Sequence, residues 1–197
     1  ITVIGPPGVK QMIETSLSLS AAHLSFNLLI HELAPGVVHD LTKEFSDLEE
    51  FGLASIIAIP LSHGPMSCFG YVFTERSKPG SLDAAAASKL GVKGKDLGVL
   101  KSGKDVTLPD GHVVKAADLL APPTPGRKVA ILGDTSGLVI PETESILLGT
   151  DILMHESTFG AGDEEKAQQG GHSTSTQAGQ FAARIKAKQL VLTHFSQ

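Results

Sequence analysis

The chain has a single cysteine, Cys68, in 197 residues. An internal disulfide is excluded, and a reducing compartment fits. No apolar run approaches the roughly 18 residues that a membrane helix needs. Positive charge is in deficit: 16 Lys and Arg against 21 Asp and Glu leave a net charge of −5. The chain as a whole therefore does not attract nucleic acid, and any such contact must come from a local basic patch. No GxSxG elbow is present, so a serine hydrolase has little support. The turn Gly5-Pro-Pro-Gly8 lacks the GxxxxGK(S/T) spacing of a phosphate loop and reads as a plain strand-to-helix turn. No Met stands before Ile1, and the chain stops at Gln197 directly after a motif. It reads as a fragment, or as a chain cut at both ends.

What is present points to one α/β layered domain or a large piece of one. Hydrophobic content is 41%, with few aromatics. Ile1–Ile4 reads as a short buried strand and Val9–Leu19 as a helix. Asn27–Leu33, Leu53–Leu61 and Phe69–Thr74 read as strands, and Ala54–Ile59 is β-branched and apolar as buried strands are. From Val129 onward strands alternate with a helix: Val129–Leu132, Asp151–Met154, Thr176–Lys186 and Gln189–Leu192. Between Glu75 and Arg127 the texture changes to scattered glycines and prolines. Residues 75–127 read as a flexible arm inserted into the main domain. Its short helix Ala84–Leu90 and its Asp110-Gly111 hairpin turn carry little apolar surface.

Four strings could carry chemistry: Leu132-Gly-Asp-Thr135, His155-Glu-Ser-Thr158, Gly171-His-Ser-Thr174 and Leu192-Thr-His-Phe-Ser196. Three of them adjoin a buried strand. A strand that ends in Asp or His points a metal ligand or a proton carrier out of the rim of a sheet. His63 follows the apolar run Ile56–Leu61 and precedes Gly64-Pro65, a third rim residue of the same kind. Asp134, His63 and His194 are the ligand types of a zinc or manganese site, although Asp134 equally suits a turn cap. His172, on a glycine loop, is placed as a general acid or as an exposed loop residue. Ser173 or Thr174 can cap the following helix. Glu156 either caps the next turn or orients an imidazole. Lys89, Lys93, Lys95, Lys101 and Lys104 form a solvated run or a set of phosphate contacts.

Taken in order, these strings resemble ribonuclease Z, the tRNA 3′-processing endonuclease of the metallo-β-lactamase superfamily. The likeness includes Ile4–Gly8, Ile30-His-Glu32, His63-Gly-Pro with Phe69-Gly-Tyr71, Pro125–Lys128, Leu132–Thr135, His155–Thr158, His172–Thr174 and Leu192–His194. It implies an αββα sandwich and a zinc-dependent endoribonuclease that removes the 3′ trailer of precursor tRNA and leaves a 3′ hydroxyl. It implies two zinc ions, with His63 on one, His194 on the other and Asp134 bridging. His172 would protonate the leaving oxygen and Glu156 would hold His172. The five lysines would sit in a tRNA-gripping arm, the enzyme would be a homodimer, and a cytoplasmic location would fit. The family's HxHxDH motif is absent and is expected upstream of Ile1, which makes residues 1–197 a partial domain, inactive alone. Ser157 replaces the usual Ala, and Val92–Gly98 replaces a Pro-Gly-Pro cluster of the arm. Rival readings are another metallo-β-lactamase-fold hydrolase, and a non-catalytic RNA-binding or dimerisation half.

Overall fold

The computed structural model describes residues 1–196 and divides into two compact units. The larger holds Ile1–Glu75 and the chain from Arg127 onward, and the smaller holds Arg76–Gly126.

In the larger unit, β1 (Thr2–Gly5), α1 (Val9–Leu19) and β2 (Leu29–Glu32) form a crossover whose strands pair in parallel, Val3 opposite Ile30. Ile1, expected in a buried strand, is 66% exposed. The strand belongs to a sheet of only two strands, so little covers its first residues. Gly8 starts α1 from φ 95°, a conformation that favours glycine. The Glu32 carboxylate accepts hydrogen bonds from Gly8 N at 2.7 Å and Lys10 N at 3.1 Å. The positive end of this helix is thus filled by the protein's own anion, in keeping with a turn that is no phosphate loop. Next come β3 (His39–Asp40), α2 (Leu41–Glu44) and a long hairpin of β4 (Leu53–His63) and β5 (Met66–Glu75), with His63 opposite Met66.

The smaller unit contains α3 (Ala84–Lys89), α4 (Lys95–Lys101), β6 (Val106–Thr107) and β7 (Val113–Val114). The expectation of little apolar surface here is corrected. Ala87, Val92, Leu100, Val106, Val114, Ala116 and Leu119 bury one another in a core of their own. They are dispersed among lysines and glycines, so no apolar run marks them, and only the folding of two helices and a hairpin gathers them. The hairpin turns where expected: Asp110 accepts a bond from His112 N, and Gly111 takes φ 85°.

The chain returns as β8 (Lys128–Ile131), β9 (Gly137–Leu138), α5 (Glu144–Leu147), β10 (Ile152–Glu156), α6 (Glu164–Gly170), α7 (Ser175–Arg184) and β11 (Gln189–Thr193). The main sheet runs β11-β10-β8-β5-β4-β3, with β9 also paired to β4. Alternate residues of β4 serve its two faces. Ile59 and Leu61 join Leu147 of α5, Leu153 of β10 and Phe181 and Ala182 of α7 in one cluster. Ile56 and Ala58 join Leu33 and Leu41 in another, against which Ile4 of β1 packs. The main sheet is therefore sandwiched between helices on one face and the β1–β2 pair on the other. Helix α7 begins at a capping box: Thr174 Oγ1 accepts from Gln177 N, and Gln177 Oε1 accepts from Thr174 N.

Candidate functional site

Strand direction gathers the candidate residues. β8, β10 and β11 are parallel, so their C-terminal ends share one edge. β5 is antiparallel to both β8 and β4. Two reversals restore the direction, and β4 also delivers its last residue, His63, to that edge. Asp134 follows β8 after Gly133, Glu156 closes β10, and His194 stands one residue beyond β11. His194 has φ 54°, a left-handed conformation uncommon for a side-chain-bearing residue. His172 reaches the rim from the loop between α6 and α7.

Ligating atoms of Asp134, Glu156, His172 and His194 all lie within 4.8 Å of one another. His194 Nδ1 is 3.5 Å from Asp134 Oδ1. The His172 ring stacks on His194, with centroids 5.2 Å apart. His63 is outside that group of four but touches it, its ring edge-on to His172 at 4.7 Å. Its Nδ1 lies 2.8 Å from the Gly171 carbonyl. A carbonyl only accepts, so Nδ1 carries the proton and Nε2 keeps its lone pair for a ligand. Gly171 allows this approach twice over. Its φ is 75°, and a Cβ there would overlap the backbone of His63 and Gly64.

Glu156 is fully buried. Its Oε1 accepts from Thr135 N at 2.7 Å and from His172 Nδ1 at 2.7 Å. Its Oε2 accepts from Ser173 N at 3.0 Å, Thr158 N at 3.2 Å and Thr158 Oγ1 at 2.5 Å. Burial pushes the pKa up, but the donated bonds outweigh it and hold the carboxyl below its ordinary value. With five donors on two oxygens, the group has no lone pair to spare for an ion. It both caps the loops and orients His172, so the two readings open in the sequence coexist. Asp134 is different. Its side chain is 40% exposed and caps no backbone N–H among the described residues, and its one charged neighbour there is His194 Nδ1, 3.5 Å from Oδ1.

Thr135 and Thr158 were not singled out from the sequence. Thr135 is completely buried. Its N–H goes to Glu156, and its hydroxyl lies within 3.0 Å of the carbonyls of Ser62 and Gly137. Thr158 touches Glu156 and, at 2.7 Å, His194 Nδ1. The only signal for either is its place at the end of a string that already held a candidate. Cys68 donates weakly to the Leu61 carbonyl. Burial, with the Asp134 charge adding to it, pushes its thiol up to about 11. The five lysines all lie in the smaller unit and are exposed. Lys89 ends α3, Lys95 and Lys101 bound α4, and Lys93 and Lys104 sit in the adjoining turns. None is ion-paired among the described residues.

No family model matches the chain. The chain is 42% identical over 200 residues to ribonuclease BN of Citrobacter koseri and 41% identical over 199 residues to ribonuclease Z of Lactiplantibacillus plantarum. Each match covers 100% of this chain, which spans about 60% of the length of those curated relatives. Among solved structures, the short form of human tRNase Z superposes with a TM-score of 0.61 at 26% identity, over 100% of this chain and 61% of that one. A metallo-β-lactamase fold protein from Bacillus subtilis superposes with a TM-score of 0.53 at 14% identity, over 100% of this chain and 52% of that one. The fold is thus the metallo-β-lactamase fold, and the rim cluster offers a group suited to a metal ion. No described helix is long and apolar enough to cross a membrane.

Proposed function

Because the chain is homologous from end to end to ribonucleases Z and BN, we propose that it forms part of a zinc-dependent endoribonuclease that removes the 3′ trailer of precursor tRNA. The observation that carries this reading is the Glu156–His172 pair, 2.7 Å apart, set against Asp134 and His194 at one sheet rim. A carboxylate with every lone pair engaged, holding an imidazole by Nδ1, is an arrangement for moving a proton at Nε2.

The donor set fits a metal. Imidazole and carboxylate oxygen are zinc ligands, Asp134 is uncapped, and the Gly171 carbonyl leaves His63 Nε2 free. His63 and His194 would each hold one ion, and Asp134 would bridge the two. Bound zinc would lower the pKa of water and neutralise charge on the phosphate. The chain's own residues do the rest. Water adds its oxygen to phosphorus and releases one proton to solvent as the bond to the tRNA 3′ oxygen breaks. His172 Nε2 gives its proton to that oxygen, which leaves as a 3′ hydroxyl, and the trailer keeps the phosphate. Glu156 stabilises the imidazolium before transfer and fixes its direction. The exposed lysines of the smaller unit contact tRNA phosphates, a role suited to unpaired ammonium groups beside glycine-rich backbone.

The test is the complete protein with a precursor tRNA and mapping of both product ends. Cleavage just after the discriminator nucleotide, with a 3′ hydroxyl on the tRNA, is expected. A 3′ phosphate, or no cleavage by zinc-loaded protein, overturns the reading.

A further inference from the structure

The Thr158 hydroxyl stands between the buried carboxylate and the second imidazole. Oγ1 is 2.5 Å from Glu156 Oε2 and 2.7 Å from His194 Nδ1. A hydroxyl has one proton to give. Glu156 already receives three backbone N–H groups and the His172 ring, so it is an acceptor throughout. At hydrogen-bond distance from such an oxygen, the Thr158 hydroxyl is the donor. Its lone pairs then face His194, and the second contact is a hydrogen bond only if His194 Nδ1 carries the proton. The backbone around His194 is tied to the same segment. Ser157 N donates to the Thr193 carbonyl at 2.8 Å, and Ser196 N donates to the Thr158 carbonyl at 3.1 Å. These bonds bracket His194, whose φ is 54°.

We infer that Thr158 is a positioning residue that links the Glu156 carboxylate to His194 and fixes His194 in the Nδ1–H tautomer, with Nε2 as its metal-binding atom. One carboxylate then sets two imidazoles. Oε1 holds His172 directly, and Oε2 holds His194 through a single hydroxyl. The third imidazole, His63, is set independently by the Gly171 carbonyl. Losing Thr158 leaves His194 Nδ1 only the longer, 3.5 Å approach of Asp134 Oδ1, which holds its rotamer and tautomer less firmly, while the His172–Glu156 contact remains.

The inference rests on the proposed role of His194 as a ligand, but its test reads hydrogen bonding and metal affinity rather than RNA cleavage. The complete protein is labelled with ¹⁵N-histidine, and the His194 ring nitrogens are followed by NMR without metal and after zinc loading. Zinc affinity is measured by competition with a chelator. The parent is expected to show Nδ1 protonated in both states. Thr158→Val should lose that preference and weaken zinc binding roughly 10–100-fold, the range for a lost partner of a ligating histidine. Thr158→Ser keeps the hydroxyl and should restore both. Thr158→Val with parental affinity and an unchanged tautomer overturns the inference, and so does a parent whose His194 is protonated at Nε2. Should Thr158→Val fail to fold, the parent's tautomer and the Ser variant's affinity decide. A parent with Nδ1–H that does not cut precursor tRNA overturns the functional reading alone. An active enzyme with Nε2–H overturns this inference alone.

Discussion

His172 is held at one nitrogen by a buried carboxylate and keeps 17% of its side chain exposed at the rim. If it is the general acid proposed above, it is needed only where the leaving oxygen needs a proton. His172→Ala in the complete enzyme is expected to lower kcat on precursor tRNA by roughly 10²–10⁴-fold. Zinc content should be unchanged, and the loss should be smaller on a p-nitrophenyl phosphodiester, whose leaving group is already acidic. An equal loss on both substrates, or an emptied metal site, would mean that His172 belongs to the ligands or the scaffold. Cys68 gives a second prediction at this scale. With its thiol pushed up to about 11, only ~10⁻³ of it is thiolate at pH 8, and the thiolate is the reactive form. Alkylation by iodoacetamide should therefore be far slower than for a free thiol and should accelerate upon unfolding in urea. Rapid labelling of the native protein would show a thiol less buried and less shifted than described.

At the scale of elements, α7 starts where the loop that carries His172 ends, and its capping residue Thr174 stands two positions after that histidine. Thr174→Ala removes one half of the capping box and is expected to cost about 1 kcal/mol in urea unfolding. Thr174→Ser should cost little. The cap and the apolar strand runs were legible in the sequence because each is a local pattern. Val129–Leu132 and Gln189–Leu192 are apolar and short, and the rim residues that follow them could be read from order alone. The two-residue strands β3 and β9 could not, because two residues show no period. Nor could the core of the smaller unit, where Val92 and Leu100 are separated by lysines and glycines. Thr158 was hidden for a further reason: its Glu156 contact is local, but His194 lies 36 positions away and only tertiary structure brings it to the hydroxyl.

At the scale of the molecule, Arg76–Gly126 leaves and re-enters between two strands that are already paired. Thr74 lies opposite Lys128, and Glu75 N donates to the Arg127 carbonyl at 2.9 Å. The Arg127 guanidinium and backbone N–H add bonds to the Glu75 carboxylate. Replacing residues 76–126 with an Asn-Gly turn, which suits a hairpin of paired strands, should therefore leave the larger unit folded. For precursor tRNA the KM of the complete enzyme is expected to rise on the order of tenfold or more as phosphate contacts are lost, with a shallower salt dependence. Cleavage of bis(p-nitrophenyl) phosphate should persist. Equal losses on both substrates would make the segment a part of the larger unit's fold. The close approach of Gly171 to His63 has a consequence in time. The two residues are 108 positions apart, and at the usual pace of synthesis on the order of 5–20 s separate their emergence from the ribosome. During that interval the exposed end of β4 waits without its partner loop. The rim cluster around His63 therefore closes only after position 171 has been made.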